Sequence, residues 1–204
     1  MRKTYALTLA VLVATSATAE VQLFGPSGTT HFSDVGPFSE SQREGLEEFQ
    51  HETLYYGAFF IEEGGTSWGY YNGANRLEDA FDLGLRICAS ESRSNSCTLA
   101  AVILPSDATT GALTPSTLNA DAAQAFTEYG NYSEGYRAFA ASRNTAYGWA
   151  AERRTLTAAI TAAMGFCENY SNGNAREFIA ELRQGAITDG LFECAIVDTS
   201  GPGD

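Results

Sequence analysis

Tyr56-Gly57-Ala58-Phe59 with Trp68-Gly69-Tyr70, and then Tyr136-Arg137-Ala138-Phe139 with Tyr147-Gly148-Trp149, are the lines of this sequence that decide its fold. The first set lies between Tyr56 and Leu104 and is joined by Thr66, Leu77, Ala80 and Cys88. The second lies between Tyr136 and Val197 and is joined by Thr145, Leu156, Ala159 and Cys167. One residue removed from the Gly64-Gly65 turn brings them into register, and Phe81/Ile160, Leu85/Met164 and Ile87/Phe166 then keep their apolar character. An aromatic-Gly-aromatic triplet, a helical stripe and a cysteine seldom recur together by chance, so the sequence reads as a tandem duplication.

Inside the first copy, Tyr55 to Ile61 puts apolar residues on both alternating sets, the pattern of a central strand covered on both faces. Gly64-Gly65 turns the chain into a second strand, Ser67 to Asn72. Asn75, with Glu78 three residues on, reads as the cap of a helix whose Leu77, Ala80, Phe81, Gly84, Leu85 and Cys88 recur at helical steps. Thr98 to Leu104 is a third strand, stopped at Pro105. Ahead of the repeat, Ser39 to Glu52 reads as a helix opened by a Ser41/Glu44 capping box. A right-handed crossover makes the second and third strands parallel, with the first between them and antiparallel to both. The expected class is therefore α+β: two tandem α-β-β-α-β units, each a three-stranded antiparallel sheet of order 2-1-3 with helices packed on it.

The expected boundaries are unit 1 at 38–105, a linker at 106–116 and unit 2 at 117–198. Unit 2 should hold a helix near Asn119 to Tyr129, a hairpin from Tyr136 to Ala151 and a helix from Thr155 to Cys167. It adds an insertion, 168–193, whose helix is read as capped by Asn174 and Glu177, carrying Phe178, Ile179 and Leu182 and closed by Gly185. Residues 20–37 read as an extended arm of low order and 199–204 as a disordered tail.

Met1 to Ala19 runs from Arg2-Lys3 through an apolar stretch to Ala17-Thr18-Ala19, the order of a secretory signal cleaved between Ala19 and Glu20. That stretch is too short to span a bilayer, and no later one is longer, so the expected location is periplasmic or secreted. With Arg2 and Lys3 removed, 10 arginines face 25 acids, a net charge of −15. Phosphate backbones and anionic headgroups would be repelled, which makes nucleic acid and membrane surface poor partners. Lys3 is the one lysine, so the processed chain can perform no Schiff-base chemistry and form no P-loop.

Four cysteines in an exported chain point to disulfides. Each copy ends its helix with one cysteine and starts its last strand after another, which selects Cys88 with Cys97 and Cys167 with Cys194 among the three pairings. Loops of those lengths stabilise by roughly 2.7 and 3.6 kcal/mol in the chain-entropy treatment. With only His31 and His51 to add, the cysteine spacing does not make a zinc site. No metal and no cofactor is expected.

The unit Tyr-Gly-Ala-Phe, Gly turn, Trp-Gly-Tyr, Ala-rich helix to Cys, then Cys before an apolar strand resembles the small secreted bacterial domains grouped as DUF4189, here in tandem. The likeness covers about 50 residues of the first copy and less of the second, where Arg137 replaces Gly57 and the loop between the cysteines is longer. It implies an exported α+β module and carries no activity. Sequences of this look are sometimes called 5-aminolevulinate synthase, an identity that the absence of lysine, the size and the export all oppose.

Trp68, Tyr70, Tyr147 and Trp149 take alternate strand positions and give each hairpin a row of rings, either a stacking platform for a ligand or the aromatic content of a small core. Glu62, Glu63, Glu78, Asp79 and Asp82 sit at turns and helix starts, where solvated carboxylates are the simpler reading than a catalytic pair. No Gly-x-Ser-x-Gly is present to support a serine nucleophile. Asn169 to Asn174 lacks the aspartates of a calcium loop, and Arg153-Arg154 reads as a solvated hairpin end. The expected function is a non-catalytic periplasmic module binding a protein or small ligand, as an inhibitor or immunity-type partner does. The alternative is a hydrolase of envelope polysaccharide using carboxylates near the hairpin aromatics.

Overall fold

The structure is a computed structural model and describes residues 21–51, 54–94, 96–108, 117–178 and 180–203. The expected signal segment, most of the linker (109–116) and Ile179 lie outside them. In chain order the elements are β1 (Gly28–Phe32), α1 (Glu40–His51), β2 (Gly57–Ile61), β3 (Trp68–Tyr71), α2 (Leu77–Glu91), β4 (Thr98–Pro105), α3 (Ala120–Gly130), β5 (Tyr136–Ser142), β6 (Tyr147–Arg153), α4 (Leu156–Ala175), α5 (Ala180–Thr188) and β7 (Cys194–Ser200). They form two antiparallel sheets of order β1-β4-β2-β3 and β6-β5-β7. In both, the first strand of the hairpin is central, as the apolar residues on both of its faces require, and β2 is buried along its whole length.

The two halves agree in register. Phe59 faces Tyr70 and Phe60 faces Gly69 across β2 and β3; Phe139 faces Trp149 and Ala140 faces Gly148 across β5 and β6. The pairing of the central strand with the last one shifts between Phe59 and Phe60 in one sheet and between Phe139 and Ala140 in the other. A bulge leaves one residue unpaired and bends its strand, so an irregularity repeated at one position marks a shared plan.

Each sheet is covered on both sides. On one face, Phe49 from α1 and Phe59, Trp68 and Tyr70 from the sheet form a ring cluster; Phe49 and Phe59 lie 5.6 Å apart, and Trp68 stacks on Tyr70 at 5.9 Å. In the second half Tyr129 from α3 takes the place of Phe49, at 5.6 Å from Phe139, which stacks on Tyr147 at 6.0 Å. On the other face, α2 and α4 run so close to the hairpins that a Cβ at Gly69 would overlap the Cys88 backbone, and one at Gly148 the Cys167 backbone. Glycine is what permits that approach, and the same helices carry Cys88 and Cys167 into the disulfides Cys88–Cys97 and Cys167–Cys194. At the exchanged position, a Cβ on Gly57 would strike Asn72, whereas Arg137 lies 5.3 Å from the Tyr129 ring centre and donates to the carbonyl oxygens of Gly130 and Tyr132.

Several expectations are corrected. The arm is not of low order: β1 pairs β4 from Gly28↔Pro105 to Phe32↔Ala101, which gives the first sheet four strands rather than three. The cap of α1 is made by Ser39 and Gln42, not Ser41 and Glu44. The Ser39 hydroxyl accepts from the Gln42 N–H at 3.3 Å, and the Gln42 side chain accepts from the Ser39 N–H at 2.9 Å. Asn174 starts no helix, because α4 continues from the expected end at Cys167 to Ala175 on an unbroken buried stripe of Ala159, Ala163, Cys167, Ser171 and Ala175. Gly185 lies inside α5 rather than closing it. The tail continues β7 to Ser200 and returns through the Gly203 N–H to the Ser133 carbonyl at 3.3 Å.

Candidate functional site

The site lies where the halves meet, and it is built from residues that local sequence rules assign elsewhere. Asn75 caps no helix. It is 2 % exposed, and its Nδ2 donates to the carbonyl of Ser142 at 2.9 Å and of Ala146 at 3.3 Å. Its Oδ1 accepts from the Asn119 N–H at 3.0 Å, and its carbonyl accepts from the Thr117 hydroxyl at 2.7 Å. Asn119, fully buried, caps α3 through the Ala122 N–H at 2.8 Å and reaches back to the Gly73 carbonyl at 2.5 Å. Two buried amides with their groups satisfied across one seam fix the halves in a single arrangement.

A second tie is ionic. Asp79, in the first turn of α2, is fully buried and pairs with Arg143 at 2.5 Å. Arg143 also donates to the Asp189 carbonyl at 2.9 Å. Burial raises the pKa of Asp79, and the hydrogen bond and charge of Arg143, with the charge of Arg76, offset part of the rise. The insertion completes the seam, because Leu191 and Ala186 pack on Leu83 of α2 beside Tyr71, Phe178 and Phe192, while Arg86 pairs with both Asp82 and Asp189.

Beside this seam is a hollow of about 450 Å³ whose lining includes Val21, Leu118, Arg76, Arg143 and Glu193 together with Cys194, Ala195, Ile196 and Val197 of β7. The lining also takes in Ala141 and Ser142 of β5, paired with Ala195 and Cys194, so the hollow lies over the end of the β5–β7 pair; β7 ends its sheet, with β5 on one side and, among the described residues, no strand on the other. Ile196 is 38 % exposed there. The Arg76 guanidinium has no hydrogen-bond or ion-pair partner among the described residues. The charge of Arg76 acts on Asp79, and the hollow thus offers apolar walls with Arg76, Arg143 and Glu193 as its charged groups.

The residues expected to bind are elsewhere. Trp68, Tyr70, Tyr147 and Trp149 are half-buried, with rings stacked within their own halves and under α1 or α3. Trp68 lies so close under α1 that Gly45 has no room for a Cβ, and its indole N–H donates to the Ser41 hydroxyl at 3.1 Å. One edge of Trp68 reaches an open hollow of about 920 Å³ with Glu62 and Glu63. There Glu62 accepts from the Ser94 hydroxyl at 2.5 Å and the Ser92 hydroxyl at 2.8 Å, and these bonds lower its pKa to about 2. It is a fixed anion, the reverse of the raised acid that glycoside cleavage uses. His31 and His51 are exposed on β1 and at the end of α1. Asn169 to Asn174 are helical, which excludes the calcium-loop geometry, and among the described residues no cluster of acids, histidines and cysteines could hold a metal. Arg153 and Arg154 share a shallow hollow with Glu134 and Glu152.

Sequence reading missed Asn75, Asn119, Asp79 and Arg143. The signal available was that Asn75 and Asp79 fall inside the first copy with Arg154 and Ala158 as their counterparts, so the copy itself does not require them. Compared with protein-family models, with characterised proteins and with solved structures, the chain matches none.

Proposed function

We propose that this chain is an exported, non-catalytic binding module, made by tandem duplication of one small α+β unit, and that its ligand occupies the hollow between the copies. The observation that carries the reading is the coincidence, at the seam, of a hollow with apolar walls and the exposed, charged Arg76. Export rests on the signal-like start and on two disulfides, which form and persist in oxidising compartments. Among the described residues no helix is long and apolar enough to cross a membrane. Glu62, held ionised by Ser94 and Ser92, argues against the polysaccharide hydrolase, and so does the placing of His31 and His51 away from both hollows.

The test is a titration of isotope-labelled mature protein with a panel of small organic acids and short peptides, read as amide shift changes. Changes centred on Arg76, Thr117, Arg143 and Ile196 are expected. Changes confined to the Trp68 hollow, or turnover of peptidoglycan lost in Glu62→Ala, would overturn the reading.

A further inference from the structure

We propose that the outward face of α4 is where two copies of this chain meet, their α4 helices packed antiparallel about a two-fold axis. The face is made by Ala158, Ala162, Gly165 and Phe166, spaced at the three- and four-residue steps of a stripe that usually turns toward a core. The core side of α4, which packs on β5, β6 and β7, is a different stripe, Ala159, Ala163 and Cys167. On the outward face Phe166 is 55 % exposed, and a Cβ at Gly165 would meet no atom within 4 Å.

The first half shows what such a face accepts. With the copies aligned, Ala162, Gly165 and Phe166 of α4 correspond to Leu83, Arg86 and Ile87 of α2. Leu83 is 1 % exposed beneath Ala186 and Leu191, Arg86 is held by Asp189, and Ile87 lines a hollow with Phe178 and Leu182. Those covering residues all belong to the insertion that carries α5. It settles on α2, and the matching turn of α4 is left bare.

Charge and shape select a second copy as the cover. The chain has a net charge of −13, so two copies repel each other over most of their surface. α4 is the exception: Glu168 is the one charged residue among its 20, whereas the 15 residues of α2 include Glu78, Asp79, Asp82, Arg86 and Glu91. A two-fold axis sets one patch against itself, so the patch must be its own complement. With the helices antiparallel and centred between Ala162 and Phe166, the ring of Phe166 from each copy lies over Ala162 of the other. The missing side chain at Gly165 lets the axes approach to about 8 Å, and the two Glu168 residues stand about 12 Å apart along the axis.

Sedimentation equilibrium of the protein, from micromolar to millimolar concentration, tests the proposal. A monomer–dimer equilibrium is expected that strengthens with added salt, because the charge being screened is alike on both copies. Phe166→Ala should weaken it about ten-fold. Gly165→Arg should abolish it while leaving the melting temperature unchanged or higher, since the new side chain has open space in one copy and a helix interior favours it over glycine. Gln50→Arg makes the same change of charge on the exposed side of α1 and should leave the dimer intact. A monomer at every concentration and salt would overturn the proposal. So would a dimer that survives Gly165→Arg, or one that is lost equally in Gln50→Arg.

Discussion

β4 and β7 hold the same place in their sheets, each beside a central strand and each with the bulge at the matching residue, yet their outer edges have different fates. Over Ala101 to Pro105 the edge of β4 is paired with β1, supplied by the segment ahead of the first copy. β7 has no such partner among the described residues. Two halves with the same strand order have two corresponding edges, and covering one of them makes the other distinctive. The added segments follow the same logic: the first half gains a strand, while the second gains α5 and the Leu191 loop, which settle on α2 and weld the seam instead of covering β7.

If the halves are built alike, their centres should be equally costly to hollow out. Phe59→Ala and Phe139→Ala each remove a fully buried ring from the middle of an aromatic cluster, so each should cost about 3–5 kcal/mol in denaturant unfolding. That is a large part of the stability of a domain this size. A loss below about 1 kcal/mol at one site alone would break the equivalence.

The seam has no counterpart within either half, and Arg143→Ala should expose that by removing the hydrogen-bonded partner of the buried Asp79, at about 3 kcal/mol. Asp79→Asn behaves differently. Because burial raises the pKa of Asp79, the folded state binds its proton more readily than the unfolded one. The associated stability is present at low pH and lost as pH rises through the folded value. The Asn variant should therefore match or exceed the native protein at pH 7, with its advantage vanishing near the ordinary aspartate range. A deficit at pH 7 equal to that of Arg143→Ala would show that the ion pair outweighs the burial.

Next in size come Gly69→Ala and Gly148→Ala, which push a methyl into the backbone of α2 or α4 and should each cost about 2 kcal/mol by thermal or denaturant melts. A tolerated alanine at one and not the other would show that the helices approach differently. The smallest effect is local to the first half. Glu62 should titrate near pH 2 by NMR and move up in Ser94→Ala, since the Ser94 hydroxyl is the leading cause of its shift. Its contribution to stability is present above the ordinary glutamate range and lost as pH falls toward 2.

The sheets, their strand order and the disulfide pairs were legible in the sequence because periodicity and the cysteine placement are local signals that the copy repeats. Phe49 and Tyr129, which complete the ring clusters, precede the quoted motif, but their helical placement ahead of Phe59 and Phe139 made them recoverable. The seam was not legible. Asn75 looks like a cap because the same amide that bonds a helix N-terminus can instead bond a neighbouring turn, and the choice depends on a half that lies far along the chain. β1 was missed for a similar reason: Thr29 and His31 are exposed and Thr30 half-buried on an edge strand with no apolar alternation, ordered by β4 rather than by their own preference.

Hydrogen exchange of the unliganded protein tests the comparison of edges most directly. Amides of β4 from Ala101 to Leu104 should be protected at successive residues, because neighbouring strands take both sides, while those of β7 should alternate, slow toward β5 and fast on the open edge. Protection at every amide from Ala195 to Ser200 would mean that the edge is already covered and would contradict the account.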